Sequence, residues 1–254
     1  MTISPISSTN SIYGKIASGT RIQTAADDAA GLAIANKLER EGNGMDVAAS
    51  NIQDGIGVAN IQDGALETMQ DSLQRIRELS VKAADGLYGD SEKQMIQGEI
   101  DQLLQDIEQT AVGTQYNEKH LLDGSMADMY IASNPSAGEG MKIQMENATL
   151  KALGLEGYNV TGSFDIGDID RAMEKINTAR SNTGASTNAM EHAYNYNKGA
   201  SEQLLASRSR IEDLDVPKAV SEQKQEKLMQ DYRMAMLRRK MNDDSLVVKM
   251  FGNM

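Results

Sequence analysis

Apolar residues recur every seven positions in two parts of the chain. In the first part, Ala59, Leu66, Leu73 and Ser80 form one column, and Met69, Ile76 and Ala83 form a second. Together they make an a/d seam of about three heptads, the pattern of helices packed side by side. The helical spacing starts earlier, at Ala25, Ala29, Ala30, Ala33, Ile34 and Leu38. Gly42, Gly44, Gly55 and Gly57 are expected to loosen this long segment before Asp85–Gly86 ends it. A second helix is predicted from Ser91, where Ser91-Glu-Lys-Gln94 fits a capping box. Ile96, Ile100, Leu103, Ile107 and Ala111 then line one face. The short loop between the two helices predicts an antiparallel hairpin.

The period changes at residues 125–163. Met129–Ala132 and Met141–Met145 are short alternating runs, separated by the turn cluster Asn134–Gly140. They predict a small β-hairpin, followed by a short apolar segment from Leu150 to Leu155. The seven-residue spacing then returns. Ile169, Ile176, Met190, Leu204 and Ile211 recur at multiples of seven, with Ala172, Ala179, Ala193, Ala200 and Ser207 alongside. No proline interrupts Asp165–Asp213, so one helix of roughly 70 Å is expected, at about 1.5 Å per residue. That exceeds a compact domain of this size. The predicted fold is therefore mainly α, an elongated antiparallel helical bundle or coiled-coil rod with a small β-hairpin.

The two ends read differently. Residues 1–17 are polar and broken by Pro5, and predict an irregular arm with one helical turn near Ile12–Ala17. Pro217 is expected to break or kink the chain. Beyond it, Lys218–Met241 holds seven basic residues against three acidic ones. Leu228, Met229, Tyr232, Ala235 and Met236 give that segment an apolar face. The expected organisation is an arm over 1–17, N-terminal helices over 18–125, the hairpin and its connection over 126–164, the long helix over 165–215, and a basic C-terminal helix and tail over 216–254.

Composition narrows the function. The chain has 254 residues, a net charge of −12, no cysteine, no tryptophan and two histidines. No disulfide framework, thiolate metal site or cysteine nucleophile is available. The acidic balance argues against sequence-independent binding to nucleic acid. No apolar run is long enough for a membrane span. The start has no apolar core of a cleavable signal, which favours the cytoplasm unless a dedicated export machine takes the chain. His120 and His192 are too far apart in sequence to suggest a zinc site, and read as surface positions. The Asp27–Asp28 pair reads as the negative start of a helix rather than a catalytic dyad. The methionines read as seam fillers. No catalytic, cofactor or metal site is expected. Arg75, Arg77, Glu78 and Glu99 gather charge on or near the helical hairpin, by itself the mark of a solvated face.

The motifs, taken in order, carry a resemblance. Ser18-Gly-Thr-Arg-Ile22 followed by Ala25-Ala-Asp-Asp-Ala-Ala-Gly-Leu-Ala-Ile-Ala35 resembles the N-terminal signature of bacterial flagellins. Leu73-Gln-Arg-Ile-Arg-Glu-Leu79, Glu99-Ile-Asp-Gln-Leu103, Thr114-Gln-Tyr-Asn117 and Leu121-Leu-Asp-Gly124 continue the likeness. Ala206-Ser-Arg-Ser-Arg-Ile-Glu-Asp213 resembles the C-terminal signature. The likeness spans roughly residues 18–215. It implies two N-terminal helices, one long C-terminal helix and a small β-hairpin, here without outer domains. The N-terminal arm is shorter than the family's, and the C-terminal segment is more basic.

The resemblance implies a self-assembling subunit of the flagellar filament, secreted without a cleaved signal and serving motility. It also implies two further partners. The vertebrate Toll-like receptor that senses flagellin would meet Leu73, Arg75, Leu79 and Glu99, with Lys82 where the family commonly has glutamine. The flagellin export chaperone would hold the apolar face of the last helix, at Leu228, Met229, Tyr232 and Met236. Two alternatives stand beside this reading: a hook–filament junction or minor non-polymerising relative of the same fold, and an intracellular coiled-coil adaptor docking an acidic partner or membrane surface.

Overall fold

The structure is a computed structural model that describes residues 6–135 and 140–251, with side chains over 12–135 and 140–242. In chain order the elements are α1 (Ile6–Ser18), α2 (Ala25–Ala84), α3 (Asp90–Gly113), β1 (Gln115–Tyr116), β2 (Lys119–His120), β3 (Asp128–Ile131), β4 (Met141–Gln144), α4 (Leu150–Leu153), α5 (Ile166–Glu212) and α6 (Val216–Phe251). They form two compact units, Glu41–Glu202 and the two ends Met1–Arg40 with Gln203–Met254. Helices α2 and α5 contribute residues to both.

The predicted seam is the heart of the Glu41–Glu202 unit. Ala59, Leu66, Met69, Leu73, Ile76, Ser80 and Ala83 are all completely buried. The apolar members share one cluster with Ile100 and Ile107 of α3 and Ile169 and Ile176 of α5. Burying each such Leu or Ile stabilises the fold by roughly 1.5–3 kcal/mol. Three ion pairs give the direction of α5 along α2. Arg77 meets Asp170 at 2.7 Å, Asp63 meets Arg180 at 2.9 Å, and Asp46 meets Lys198 at 3.1 Å. Numbers fall along one helix as they rise along the other, so the two are antiparallel. Ser80, the polar member of the seam, donates to the Ile76 carbonyl (2.8 Å) and accepts from the Tyr158 hydroxyl (3.1 Å).

The structure departs from the sequence reading in instructive places. Gly55 does not loosen α2. A Cβ there would stand 3.0 Å from Ile131 and 3.1 Å from the Met190 sulfur, so the glycine lets β3 and α5 approach the helix closely. The Ser91–Gln94 capping box does not form. Helix α3 starts at Asp90, its N-cap is the extended Gly89, and no side chain caps it. On α3 the buried face takes Leu104 where Leu103 was expected; Leu103 packs at its margin. The expected hairpin is β3–β4, with Met129 facing Ile143 inward and Tyr130 facing Lys142 outward. Residues 136–139 of its turn cluster lie outside the described residues, as does Pro5 of the arm. A second strand pair, β1–β2, turns tightly through Asn117 (φ 47°) and Glu118 (φ 66°). The arm is not irregular where it is described: α1 is helical from Ile6 to Ser18.

Candidate functional site

Three places on the chain gather the motif residues. The first is the joint after α1. Gly19 turns the chain with φ 73°, a conformation that favours glycine. Thr20 then bridges to Asp213, the Arg21 amide donates to Glu212 O (2.6 Å), and the Leu214 amide donates to Gly19 O (2.9 Å). The Arg21 guanidinium donates to Ile211 O (2.6 Å), placing a cation at the negative end of α5. Ile22 is buried. The two aspartates have separate tasks. Asp27 accepts from the Gln23 and Thr24 amides and the Thr24 hydroxyl, and pairs with Lys15 at 2.7 Å. Lys15 above all, then the Thr24 contacts, hold its carboxyl well below the usual carboxylate range. Asp28 has extended backbone and accepts from the Gly31 amide (2.8 Å), so it is the working N-cap of α2. Arg208 closes the same unit, meeting Glu39 at 3.2 Å and Glu212 at 2.7 Å.

The second place is the face of the α2–α3 hairpin. Arg75 Nε and Nη2 donate to Glu99 Oε1 (2.9 and 2.7 Å), and Nη1 donates to Glu78 (3.3 Å). Glu99 first, then Glu78, hold the guanidinium charge more firmly than usual. Half of the Arg75 side chain faces solvent. A groove of about 380 Å³ lies beside it, lined by Leu79, Lys82, Tyr88 and Met95 among others. Lys82 stands over the Tyr88 ring at 5.4 Å. The expected receptor set divides here. Leu73 and Leu79 are buried, because both belong to the helix-packing face of α2, and they support this face from below. Arg75 and Glu99 are the members a partner can touch. Arg77 leaves the expected charge cluster for Asp170 on α5.

The third place is α6. Asp215 caps it through the Lys218 amide (3.1 Å), and Pro217 sits in the first turn, where its missing amide hydrogen costs nothing. Helix α1 packs on its first part, with Ile12 and Lys15 near Lys218, Ala219 and Glu222. Further along, Leu228, Met229, Tyr232 and Met236 share one side of the helix and are exposed. Met234, Leu237 and Met241 are exposed too and lie on the opposite side, given about 3.6 residues per turn. Lys227 and Arg238 run between the two stripes on one flank, Arg233 and Lys240 on the other. One neighbour could cover only one stripe. Among the described residues, no group of three or more His, Asp or Glu could hold a metal ion, and no helix is long and apolar enough to cross a membrane.

Comparison with known proteins decides what these surfaces belong to. Residues 6–127 match the bacterial flagellin N-terminal helical region, and residues 166–250 match the bacterial flagellin C-terminal helical region. A flagellin of Halalkalibacterium halodurans is 33% identical over 88% of this chain and 84% of its own length. The chain belongs to the bacterial flagellin family. A flagellar filament core protein of Brachyspira hyodysenteriae is 32% identical over 87% of this chain and 85% of its own. The crystal structure of Bacillus cereus flagellin covers 58% of this chain and 88% of its own, at 26% identity and a TM-score of 0.52. The chain is thus a structural subunit of the bacterial flagellar filament that assembles with its own copies, and it is not an enzyme. Both ends set apart in the sequence reading fall largely inside the match, which takes in α1 and nearly all of α6. What the motif reading missed is the Arg21 contact with the end of α5. Its signal was the pairing of Ser18-Gly-Thr-Arg-Ile22 with Ser209–Asp213, residues about 190 positions apart that only a folded chain brings together.

Proposed function

We propose that this subunit leaves the cell through the flagellar export route without a cleaved signal, guarded on the way by the export chaperone, and enters the filament through α6. The supporting observation is the pair of uncovered apolar stripes on that helix, flanked by basic side chains. Exposed apolar area of this kind marks an interaction surface. The chaperone takes the Leu228, Met229, Tyr232 and Met236 stripe before export, and neighbouring subunits take both stripes afterwards. Lattice contacts between subunits are heterologous and non-closing, so the polymer extends. Truncation after Asp215 tests this. It should abolish both chaperone binding, read by calorimetry, and growth on filament seeds, read by sedimentation. Unchanged chaperone affinity and normal growth would overturn it.

The Arg75–Glu99 face is the part of the subunit that the vertebrate flagellin-sensing Toll-like receptor meets. Arginine presents a planar, fully charged fork suited to an interface anchor, and here Glu99 pre-orders it. Arg75→Ala should weaken receptor signalling by about 30-fold, the scale of a single interface hot spot. Signalling equal to that of the unsubstituted chain in reporter cells would contradict the assignment.

A further inference from the structure

The chain carries 16 methionines and no cysteine. Cysteine thiolate is the usual first target of peroxide in a protein. Here every sulfur is a thioether, and two groups of them stand in contrast. Met69, Met129, Met145 and Met190 are buried in the Glu41–Glu202 unit. Met229, Met234, Met236 and Met241 stand on α6 with 52%, 54%, 50% and 70% of their surface exposed. These four supply more than half of the large apolar side chains that make up the two stripes. The same side chains are therefore open to solvent oxidants in the free subunit and form much of the surface assigned above to assembly. The occupants of the stripes are further copies of this chain, since the chain is a filament subunit and neither stripe is covered by another element among the described residues.

We propose that Met229, Met234, Met236 and Met241 form a peroxide-oxidisable modification site that reversibly switches off assembly through α6. The proposal rests on the reading that α6 enters the filament. In the oxidation step a thioether sulfur donates a lone pair to one oxygen of a hydroperoxide. The O–O bond breaks, the sulfur gains S=O, and the peroxide leaves as water or alcohol. Sulfur is oxidised by two electrons and the peroxide is reduced by two. The product is polar and strongly accepting, so an oxidised side chain loses the apolar character that made it part of the stripe. Burying it without a partner is unfavourable. Each buried sulfoxide should raise the concentration needed for growth by about tenfold. Methionine sulfoxide reductases reverse the step: the oxygen leaves as water, and a dithiol is oxidised to a disulfide.

The test treats the purified full chain with hydrogen peroxide, removes the peroxide with catalase, and follows two readouts. Peptide mass spectrometry gives oxidation at each methionine, and sedimentation gives growth on filament seeds. The four α6 methionines should oxidise about tenfold faster than Met69 and Met190. Growth should fall in step with their oxidation and return after treatment with the reductases and a dithiol. A variant with all four changed to leucine keeps the stripes apolar, and whatever growth it shows untreated should not fall further with peroxide. Met95→Leu removes another exposed thioether, 68% exposed on α3, and should leave the peroxide effect intact. Full oxidation of the four with unchanged growth would overturn the proposal, whereas loss of growth on truncation after Asp215 would still uphold the role of α6 itself. A fourfold leucine variant as sensitive to peroxide as the original would overturn it too. Should that variant fail to grow untreated, the reductase arm decides: failure to regain growth once the thioethers are restored would overturn it.

Discussion

The two units of this chain bury apolar surface in opposite measure. In Glu41–Glu202, seven seam positions from Ala59 to Ala83 are closed to solvent, and α3, the β3–β4 hairpin and α5 close around them. In the unit made by the two ends, the buried apolar side chains among the described residues are Ile22, Ala35 and Ala219. One isoleucine and two alanines are a small return for ordering a helix of 36 residues, since each residue fixed costs about 1–2 kcal/mol of backbone entropy. Local hydrogen bonds at the Gly19–Ile22 joint hold the ends in register but add little burial. The contrast separates two sources of stability. One unit carries its core within the chain. The other leaves apolar residues on α6 exposed, the surface through which we propose that copies assemble.

The strongest way to break this contrast is to remove one large side chain from each unit. Leu73→Ala should destabilise the Glu41–Glu202 unit by about 2–5 kcal/mol, read by thermal or denaturant unfolding. Leu228→Ala should leave the unfolding of the free subunit within about 0.5 kcal/mol of the original while slowing seeded growth. Equal losses of subunit stability would erase the distinction. Tyr158→Phe sharpens it inside the core. The hydroxyl gives up its bond to Ser80, which keeps its bond to the Ile76 carbonyl, so the loss should be about 1 kcal/mol in denaturant unfolding. Arg77→Ala removes a half-exposed pair with Asp170 and should cost at most about 1 kcal/mol, less in high salt. A larger loss would mean that the register of α5 on α2 rests on charge more than on the apolar seam.

The smallest expected effect is one of pH, at the joint of the ends. Asp27 has a carboxyl pKa below its unfolded value of about 3.9. Its contribution is therefore fully present at neutral pH and persists above that value. It is lost as pH falls below about 4 toward the folded pKa. Hydrogen exchange at Thr24–Gly31 should quicken over that acidic range beyond the change seen elsewhere, and Asp27→Asn should remove the difference. If the original chain and the Asp27→Asn variant exchanged alike at about pH 3–4, the capping bonds rather than the carboxylate charge would hold the joint.

How much of this was legible follows from which residues act alone and which act through distant partners. The seam was readable because Leu66 and Leu73 repeat with one period along one helix. The long α5 was readable because no proline interrupts it. The β1–β2 pair was not readable: two-residue strands show no alternation, and the turn rests on Asn117 and Glu118 adopting left-handed backbone. The Ser91 capping box failed because the extended Gly89 lets the helix begin one residue earlier, at Asp90. The charge cluster was half right. Glu78 and Glu99 are near Arg75 by helix and hairpin geometry, whereas the partner of Arg77 lies 93 positions away. At the site, Arg75 and Glu99 were legible as a surface, but the burial of Leu73 and Leu79 belongs to the core that the same seam creates.

Hydrogen exchange on the free subunit and on the filament, followed residue by residue, tests the division of labour most directly. Amides over residues 59–83 and 169–190 should be strongly protected in both states. Amides over residues 224–242 should exchange orders of magnitude faster in the free subunit and become protected only in the filament. Equal protection of the last helix and the seam in the free subunit would contradict the account, because α6 would then be stable without its neighbours.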